Sequence, residues 1–285
     1  MMVFLNGKFV PEEQALVSVF DRGFLYGDGL FETIRVFNKV PFRWRQHLER
    51  FRQGGDFLKI ALPFGPDELQ CFAERLLAEN GLTDAILRLA LSRGKGIRGY
   101  SPKGANSPFL VMTLHPVPDN GSQGLVQWHL ITSSFRLPAN EQLSSFKTCN
   151  KLPQIMARAE ADALDAQEAI LLNTDGYAVE GASSNLFWVE TDAVATPPLT
   201  SGILPGVTRS VIFELCDKLN VQRRETNITS DQIATREGIF LSLSSLGIVE
   251  AVSLDGKPLR QSLLTMQLAG AYWNLVDSET RSQCR

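Results

Sequence analysis

Ser145-Phe146-Lys147-Thr148-Cys149-Asn150-Lys151-Leu152-Pro153 is the stretch around which the rest of the chain is organised. It places Lys147 in a short polar segment just before a helix predicted to begin near Pro153, because proline suits a first turn that needs no amide donor. The side of that helix predicted to pack carries Ile155, Met156, Ala159 and Ala163 at helical spacing. A lysine backed by a packed helix could act as a positioned amine, although most lysines are solvated surface charges.

Length and charge limit what the chain can be. Its 285 residues are enough for a large core or two domains. The net charge of −3 provides no basic field that would draw the chain to nucleic acid or an anionic membrane. No apolar run is long enough to span a bilayer, and the N-terminus shows no signal peptide. We therefore expect a globular protein with no nucleic-acid or membrane partner.

The cysteines and histidines indicate a reducing compartment and no metal site. The four cysteines are scattered without CxxC spacing, which disfavours both a zinc site and a disulfide framework. Cys149, two residues from Lys147, could be a reactive thiol, but a small buried side chain is the commoner case. Three histidines are too few for a metal centre. The expectation is a cytoplasmic protein without a bound metal.

The order of predicted elements mixes hairpins with helices, which is typical of the α/β (α+β) class in two unequal domains. Asn6-Gly7 predicts a tight hairpin at the start, and Val17–Phe20 reads as a second short strand. The best linker candidate lies in Pro116-Val117-Pro118-Asp119-Asn120-Gly121-Ser122. The predicted division is residues 1–117 as a small domain, 118–123 as linker and 124–285 as a larger domain.

Two glycine- and serine-bearing stretches are candidate phosphate sites. The first, Gly202-Ile203-Leu204-Pro205-Gly206-Val207-Thr208-Arg209, runs directly into a predicted helix. Its helix start offers unpaired amides at Val207 and Thr208 and the positive end of a dipole, although an ordinary capped helix start would read the same way. The second, Ser244-Ser245, follows a predicted strand and could add hydroxyl groups; by itself it reads as a turn.

Two charged residues complete the candidate set. Arg50 lies three residues after His47 on one helical face and could clamp a phosphate, or else pair with Glu49 or Asp56 on the surface. Glu180 stands between a strand and a turn of small residues, where it could hold a ring N–H⁺ or simply be solvated.

Together these motifs resemble the fold-type IV pyridoxal-phosphate enzymes, which include branched-chain and D-amino-acid aminotransferases and 4-amino-4-deoxychorismate lyase. The resemblance covers nearly the whole chain. It rests on five ordered motifs: Asp21-x-Gly23-x-x-x-Gly27-Asp28-Gly29, His47-x-x-Arg50, Lys147-Thr148-x-Asn150, Glu180-Gly-x-x-Ser184-Asn185-Leu-Phe187 and Gly202-x-Leu204-x-Gly206-x-Thr208-Arg209.

The resemblance implies a two-domain aminotransferase fold, a homodimer and a role for each motif. Lys147 would bond to pyridoxal 5'-phosphate and later shuttle the proton. Glu180 would bind the pyridine nitrogen, and Leu204 would pack on the cofactor ring. The phosphate would be held by Arg50, Val207, Thr208, Ser244 and Ser245.

The loop from Arg93 to Ser101 separates the members of the family. Its sequence, Arg93-Gly94-x-Gly96-x-Arg98-Gly99-Tyr100-Ser101, is more similar to the lyase loop than to the aminotransferase loops. The resemblance implies that Arg93 and Arg98 receive two substrate carboxylates and that Tyr26 also contacts the substrate. It favours conversion of 4-amino-4-deoxychorismate to 4-aminobenzoate and pyruvate, in folate biosynthesis, with transamination of branched-chain or D-amino acids as the alternative.

Overall fold

The structure, a computed structural model, describes residues 1–117, 125–191 and 193–281. These residues divide into two compact units. The first holds residues 1–117 with 146–150 and 278–281, and the second holds 125–145 and 151–277 without residue 192. The predicted boundary after residue 117 coincides with this division, whereas the predicted linker, 118–123, lies outside the described residues. The second unit differs from the predicted domain 124–285, because segment 146–150 and the end of the last helix, residues 278–281, group with the first unit.

The described residues of the first unit build a six-stranded antiparallel sheet in the order β2-β1-β6-β5-β3-β4, with helices alongside. Its elements are β1 (Met2–Leu5), β2 (Lys8–Pro11), α1 (Arg22–Tyr26), β3 (Gly29–Phe37), β4 (Val40–Pro41), α2 (Trp44–Leu58), α3 (Pro66–Glu79), β5 (Ala85–Ser92) and β6 (Phe109–His115). The predicted hairpin of β1 and β2 is confirmed. Asn6 and Gly7 have φ of 46° and 94°, the positive values that a tight hairpin turn needs.

The core of the first unit lies under β3. Leu30 and Ile34 lie on the same face of β3, and both are fully buried in a cluster with Phe51 of α2 and Leu69 of α3. The predicted strand at Val17–Phe20 is wrong, since that segment is not a strand and Phe20 stays 67% exposed. Among the described residues no strand pairs with it, so it gains none of the cross-strand contacts that stabilise a strand.

The second unit is a mixed sheet that closes on itself. Its elements are β7 (Val126–Leu137), α4 (Leu152–Ala163), β8 (Glu168–Asn173), β9 (Ala178–Gly181), β10 (Asn185–Glu190), β11 (Ala193–Thr196), α5 (Val207–Lys218), β12 (Gln222–Glu225), α6 (Ser230–Ile233), β13 (Gly238–Leu243), β14 (Gly247–Leu254), β15 (Lys257–Pro258) and α7 (Leu263–Arg281). The strand order is β12-β11-β10-β13-β14-β7-β8-β9, and β9 also pairs with β10. The pair that closes this ring is Glu180 with Asn185.

The helix after Lys147 packs through a different side from the one predicted. Ala157 and Ala161 of α4 are fully buried, whereas Ile155 is 60% and Met156 41% exposed. The small alanines allow α4 to lie close to β7 and β8, so the predicted packing side was wrong. In the described ranges, no helix combines the length and apolar character needed to cross a bilayer.

Candidate active site

The Lys147 segment is fixed beside the start of β3. The Phe31 amide donates to the Lys147 carbonyl at 2.9 Å, and the Cys149 amide donates to the Gly29 carbonyl at 2.9 Å. These two bonds make Thr148 the bridge partner of Leu30. The loop that carries the lysine is therefore held by the backbone of the strand, and Lys147 itself is half-buried.

Two cationic side chains lie on the aromatic ring of Phe31. The Lys147 Nζ is 4.7 Å from the ring centroid and the Arg88 guanidinium carbon is 4.0 Å from it. Arg88 is half-buried on β5, where burial lowers the pKa of its guanidinium. None of the described carboxylates forms an ion pair with Arg88. It therefore offers a positive charge beside the candidate amine.

Sequence reasoning missed Arg88, although a signal existed. The strand reads Ala85-Ile86-Leu87-Arg88-Leu89-Ala90-Leu91, so one arginine interrupts a run of apolar residues. A charged residue in such a strand needs a partner or a function, because burial of an unpaired charge is costly. The alternation of β5 indicates that Arg88 shares a face with Ala90, whose cross-strand partner is Phe31.

Arg50 belongs to a buried charge cluster with Glu32 and His47. Arg50 donates to both Glu32 carboxylate oxygens at 2.7 Å, and His47 Nδ1 lies 2.8 Å from Glu32 Oε2. Burial alone would raise the pKa of Glu32, but Arg50 and His47 outweigh it and lower that pKa to about 2. Burial lowers the pKa of His47 despite Glu32, so the imidazole is neutral at pH 7 and its Nδ1–H donates to the carboxylate.

The predicted substrate arginines have different surroundings. Arg93 is buried, with its Nε and Nη2 on Asp28 at 2.8 and 3.1 Å, and its guanidinium also donates to the carbonyls of Leu58 and Lys59. Arg98 is exposed at the tip of the loop. The Tyr26 hydroxyl accepts from the Gly99 amide at 3.1 Å. Of these two arginines, Arg93 is engaged in supporting the loop, and Arg98 is the one whose surroundings leave its guanidinium open to solvent.

In the second unit, Glu180 and Asn185 each form one hydrogen bond with the backbone of Leu204 in the loop before α5. The Leu204 amide donates to Glu180 Oε2 at 3.0 Å, and Asn185 Nδ2 donates to the Leu204 carbonyl at 2.9 Å. Glu180 and Asn185 are cross-strand partners, and Asn185 is in turn the partner of Ser242. Directly opposed residues share a face of a sheet, so these three polar side chains form a row.

The start of α5 has the features of an anion site. Its N-cap, Gly206, has no side chain to cap the helix, so the amides of Val207 and Thr208 are available within the described residues. A Cβ on Gly206 would lie only 2.0 Å from Asn185 Oδ1, so a larger residue here would require the Asn185 side chain to move. Ser244 and Ser245 are half-buried in the turn between β13 and β14.

Comparisons with known proteins agree on one family. Residues 29–254 match the family model described as "Amino-transferase class IV". The chain is 34% identical over 259 residues to the "Putative branched-chain-amino-acid aminotransferase" of Methanocaldococcus jannaschii, covering 90% of this chain and 89% of that protein.

Solved structures share the fold over most of the chain. The T.th. branched-chain amino acid aminotransferase with pyridoxamine 5'-phosphate has a TM-score of 0.91 and 27% identity, covering 99% of this chain and 96% of that one. A "Putative 4-amino-4-deoxychorismate lyase" from Legionella pneumophila has a TM-score of 0.85 and 27% identity, covering 92% of this chain and 96% of that one. With its motifs, its fold and the family match in agreement, this chain belongs to the class IV aminotransferases, which depend on pyridoxal phosphate.

Proposed function

We propose that the protein is a pyridoxal-phosphate lyase that converts 4-amino-4-deoxychorismate to 4-aminobenzoate and pyruvate. One observation carries this proposal: Arg88, beside Lys147, and Arg98, exposed on the Arg93–Ser101 loop, form no ion pair with the described carboxylates. A substrate with two carboxylates needs two such groups. The similarity of the Arg93–Ser101 loop to lyase loops supports the same reading.

The residues present fit the cofactor. Glu180 offers a buried carboxylate to a ring nitrogen, and the first-turn amides of α5 offer donors to a phosphate. In the row with Glu180, the buried Ser242 hydroxyl has no hydrogen-bond partner among the described residues. A buried polar group of this kind normally has a partner, which a bound ligand can supply.

Each residue then has a defined task. When bound, pyridoxal phosphate supplies an electron sink for the charge left by deprotonation. Lys147 would hold the cofactor through Nζ and, once the substrate amine has displaced it, its free amine would take the proton from the amine-bearing ring carbon of the substrate. Glu180 keeps the ring nitrogen protonated, and Thr208 with its neighbouring amides binds the phosphate. The bond between the ring and the oxygen of the enolpyruvyl group then breaks, the ring becomes aromatic, and the departing enolpyruvate takes up a proton to become pyruvate.

Transamination is the second candidate, and the relatives favour it. The similar proteins named above include two branched-chain aminotransferases. An amino acid with an apolar side chain brings one carboxylate, for which Arg88 alone would suffice. In this reaction Lys147 would remove the same kind of proton and return it at another atom, and a keto acid would be released.

One assay separates the two reactions. The purified holoenzyme is given 4-amino-4-deoxychorismate, with pyruvate measured by lactate dehydrogenase, and in parallel a panel of L- and D-amino acids with a keto-acid acceptor. Pyruvate and 4-aminobenzoate in equal amounts support the lyase. Amino exchange without pyruvate release overturns it in favour of transamination. Lys147→Ala serves as the blank in both assays.

We also propose that the protein forms a homodimer through the segment before and within α1. Phe20 is 67% and Phe24 73% exposed, beside exposed Leu16 and Val19. Apolar residues clustered in this way on a surface indicate an interface. Phe24→Glu should shift the protein from dimer to monomer in light scattering, whereas Leu219→Glu, at an exposed leucine of the second unit, should not. A wild-type monomer contradicts the proposal.

A further inference from the structure

Arg22 is a buried arginine for which the reaction proposed above has no use. Its side chain is 4% exposed, and its Nε donates to Asp28 at 2.8 Å. Its Nη1 donates to the carbonyls of Gly99 at 2.9 Å and Ser101 at 3.2 Å, and its Nη2 donates to the carbonyl of Tyr100 at 3.1 Å. Three consecutive carbonyls of one loop therefore converge on a single guanidinium.

This convergence has a physical requirement. Carbonyl dipoles that point at one spot repel one another unless a cation lies between them, and a guanidinium with five N–H donors meets that need. The loop also passes close to Arg22, since a Cβ on Gly96 would lie 2.8 Å from Arg22 Cδ. Without the guanidinium we expect the three carbonyls to turn away and the loop to change shape.

The same loop presents its side chains outward. Ile97 is 68% and Tyr100 88% exposed, and Arg98 between them is exposed too. Tyr26 adds a second anchor, because its hydroxyl accepts from the Gly99 amide and its ring lies 5.7 Å from that of Tyr100. The backbone of the loop is thus held from within, while its outer side chains are left for a ligand.

Asp28 connects Arg22 to Arg93 and, through Arg93, to the end of α2. Its carboxylate accepts from Arg22 and from Arg93, and Arg93 donates onward to the carbonyls that end α2. Burial would raise the pKa of Asp28, but the hydrogen bonds from Arg93 and Arg22 lower it overall. The carboxylate stays charged at neutral pH and links the two guanidinium groups.

We propose that Arg22 is the positioning residue for Arg98: by binding the carbonyls of residues 99–101 it holds the loop in the shape that presents the Arg98 guanidinium to a substrate carboxylate. The proposal rests on the function proposed above, because it takes Arg98 as the group that meets substrate. It assigns a role to the arginine of the Asp21-Arg22-Gly23 motif that the reaction itself does not require.

The test compares Arg22→Ala with Arg75→Ala, an exposed arginine that pairs with Glu79 on α3. In Arg22→Ala, KM for the substrate should rise about tenfold while kcat stays within about twofold, since Arg98 would no longer meet its carboxylate. Amide exchange should quicken in the peptide covering residues 96–101, and millimolar guanidinium ion should reverse both effects. Arg75→Ala should show neither effect.

A second pair of variants covers the case in which Arg22→Ala does not fold. Gly99 and Gly104 have φ of 110° and 83° and open space around them, so alanine strains the backbone without a steric clash at either position. Only Gly99 offers its carbonyl to Arg22. Gly99→Ala should raise KM and Gly104→Ala should not. Equal KM values in this pair, or unchanged KM or exchange in a folded Arg22→Ala, overturn the proposal.

Failure of the proposed function gives a different result. A wild-type enzyme that turns over neither 4-amino-4-deoxychorismate nor any amino acid removes the reaction and with it the carboxylate role of Arg98. Amide exchange in residues 96–101 does not depend on turnover. If exchange quickens in Arg22→Ala but not in Arg75→Ala, Arg22 does hold the loop, and the proposed reaction alone is wrong.

Discussion

Arg50 donates two parallel hydrogen bonds of 2.7 Å to the two carboxylate oxygens of Glu32. Such a bidentate pair fixes the plane of the guanidinium. The phosphate contact predicted for Arg50 stays a prediction, and in that contact Glu32 would fix the orientation of the Arg50 guanidinium.

The pair gives a pH-dependent stability. The pKa of Glu32 is about 2 in the folded chain against an ordinary 4.5, so its contribution is complete above pH 4.5 and disappears as the pH falls towards 2. Glu32→Gln should lower the free energy of unfolding by about 3 kcal/mol at pH 6 and by much less at pH 2.5. Urea titrations at both pH values measure this.

The matched control for Glu32 is Glu49→Gln on α2. Arg52 also lowers the pKa of Glu49, but both side chains are about half exposed, and water screens such pairs. Its stability should change little at either pH. An equal loss of unfolding free energy in both variants would show that the buried Glu32–Arg50 pair stabilises the fold no more than an exposed pair does.

Lys147 is expected to hold the cofactor covalently. Borohydride reduction of the holoenzyme should leave a phosphopyridoxyl mass on the tryptic peptide that contains Lys147. Lys147→Ala should lose turnover by about 10²–10⁴-fold or more, because the group that moves the proton is gone. An adduct on another lysine in the wild type would overturn the assignment.

Glu180→Gln should leave the fold and bound cofactor in place and slow the reaction. A neutral amide makes a hydrogen bond about half as strong as that of a carboxylate and does not stabilise a protonated ring nitrogen. We expect kcat to fall by about ten- to a hundredfold. The exposed Glu237→Gln is the control. Wild-type turnover in Glu180→Gln would remove Glu180 as the ring-nitrogen partner.

The three arginines of the substrate hypothesis should behave differently. Arg98→Ala and Arg88→Ala should each lower kcat/KM by one to two decades, for a lost contact of roughly 1.5–3 kcal/mol, without loss of thermal stability. Arg93→Ala should instead lower the melting temperature, because Asp28 loses one of its two guanidinium partners and the carbonyls of Leu58 and Lys59 lose a donor. Unchanged kinetics in Arg98→Ala would contradict the carboxylate role.

Asn185 and Gly206 should be energetically coupled. Gly206→Ala places a methyl group 2.0 Å from Asn185 Oδ1, so it should displace the start of α5 and weaken cofactor binding. Asn185→Ala makes room for that methyl group, so the double variant should retain cofactor better than the sum of the single effects predicts. A double-mutant cycle on the cofactor dissociation constant measures the coupling. Additive effects would contradict the arrangement.

The sequence by itself determined the local features and the family. The Asn6-Gly7 hairpin, the helix that begins near Pro153 and the helix that follows Gly206 depend on turn chemistry and on short-range periodicity, which neighbouring residues carry. The ordered motifs around Lys147, Glu180 and Thr208 identified the family, because a ligand that contacts several loops constrains the residue type in each.

The tertiary structure decided how the same residues are used. The sequence could not predict that Arg93 pairs with Asp28, that Arg88 lies beside Lys147 or that Ile155 is exposed, since each outcome depends on partners from distant elements. The segment 146–150 joined the first unit because its amide and carbonyl groups bond to β3, and the sheet of the second unit closed through Glu180 and Asn185. The sequence around a charged residue does not show which group that residue will pair with. Only the folded chain determines which carboxylate or carbonyl lies within hydrogen-bonding distance of it.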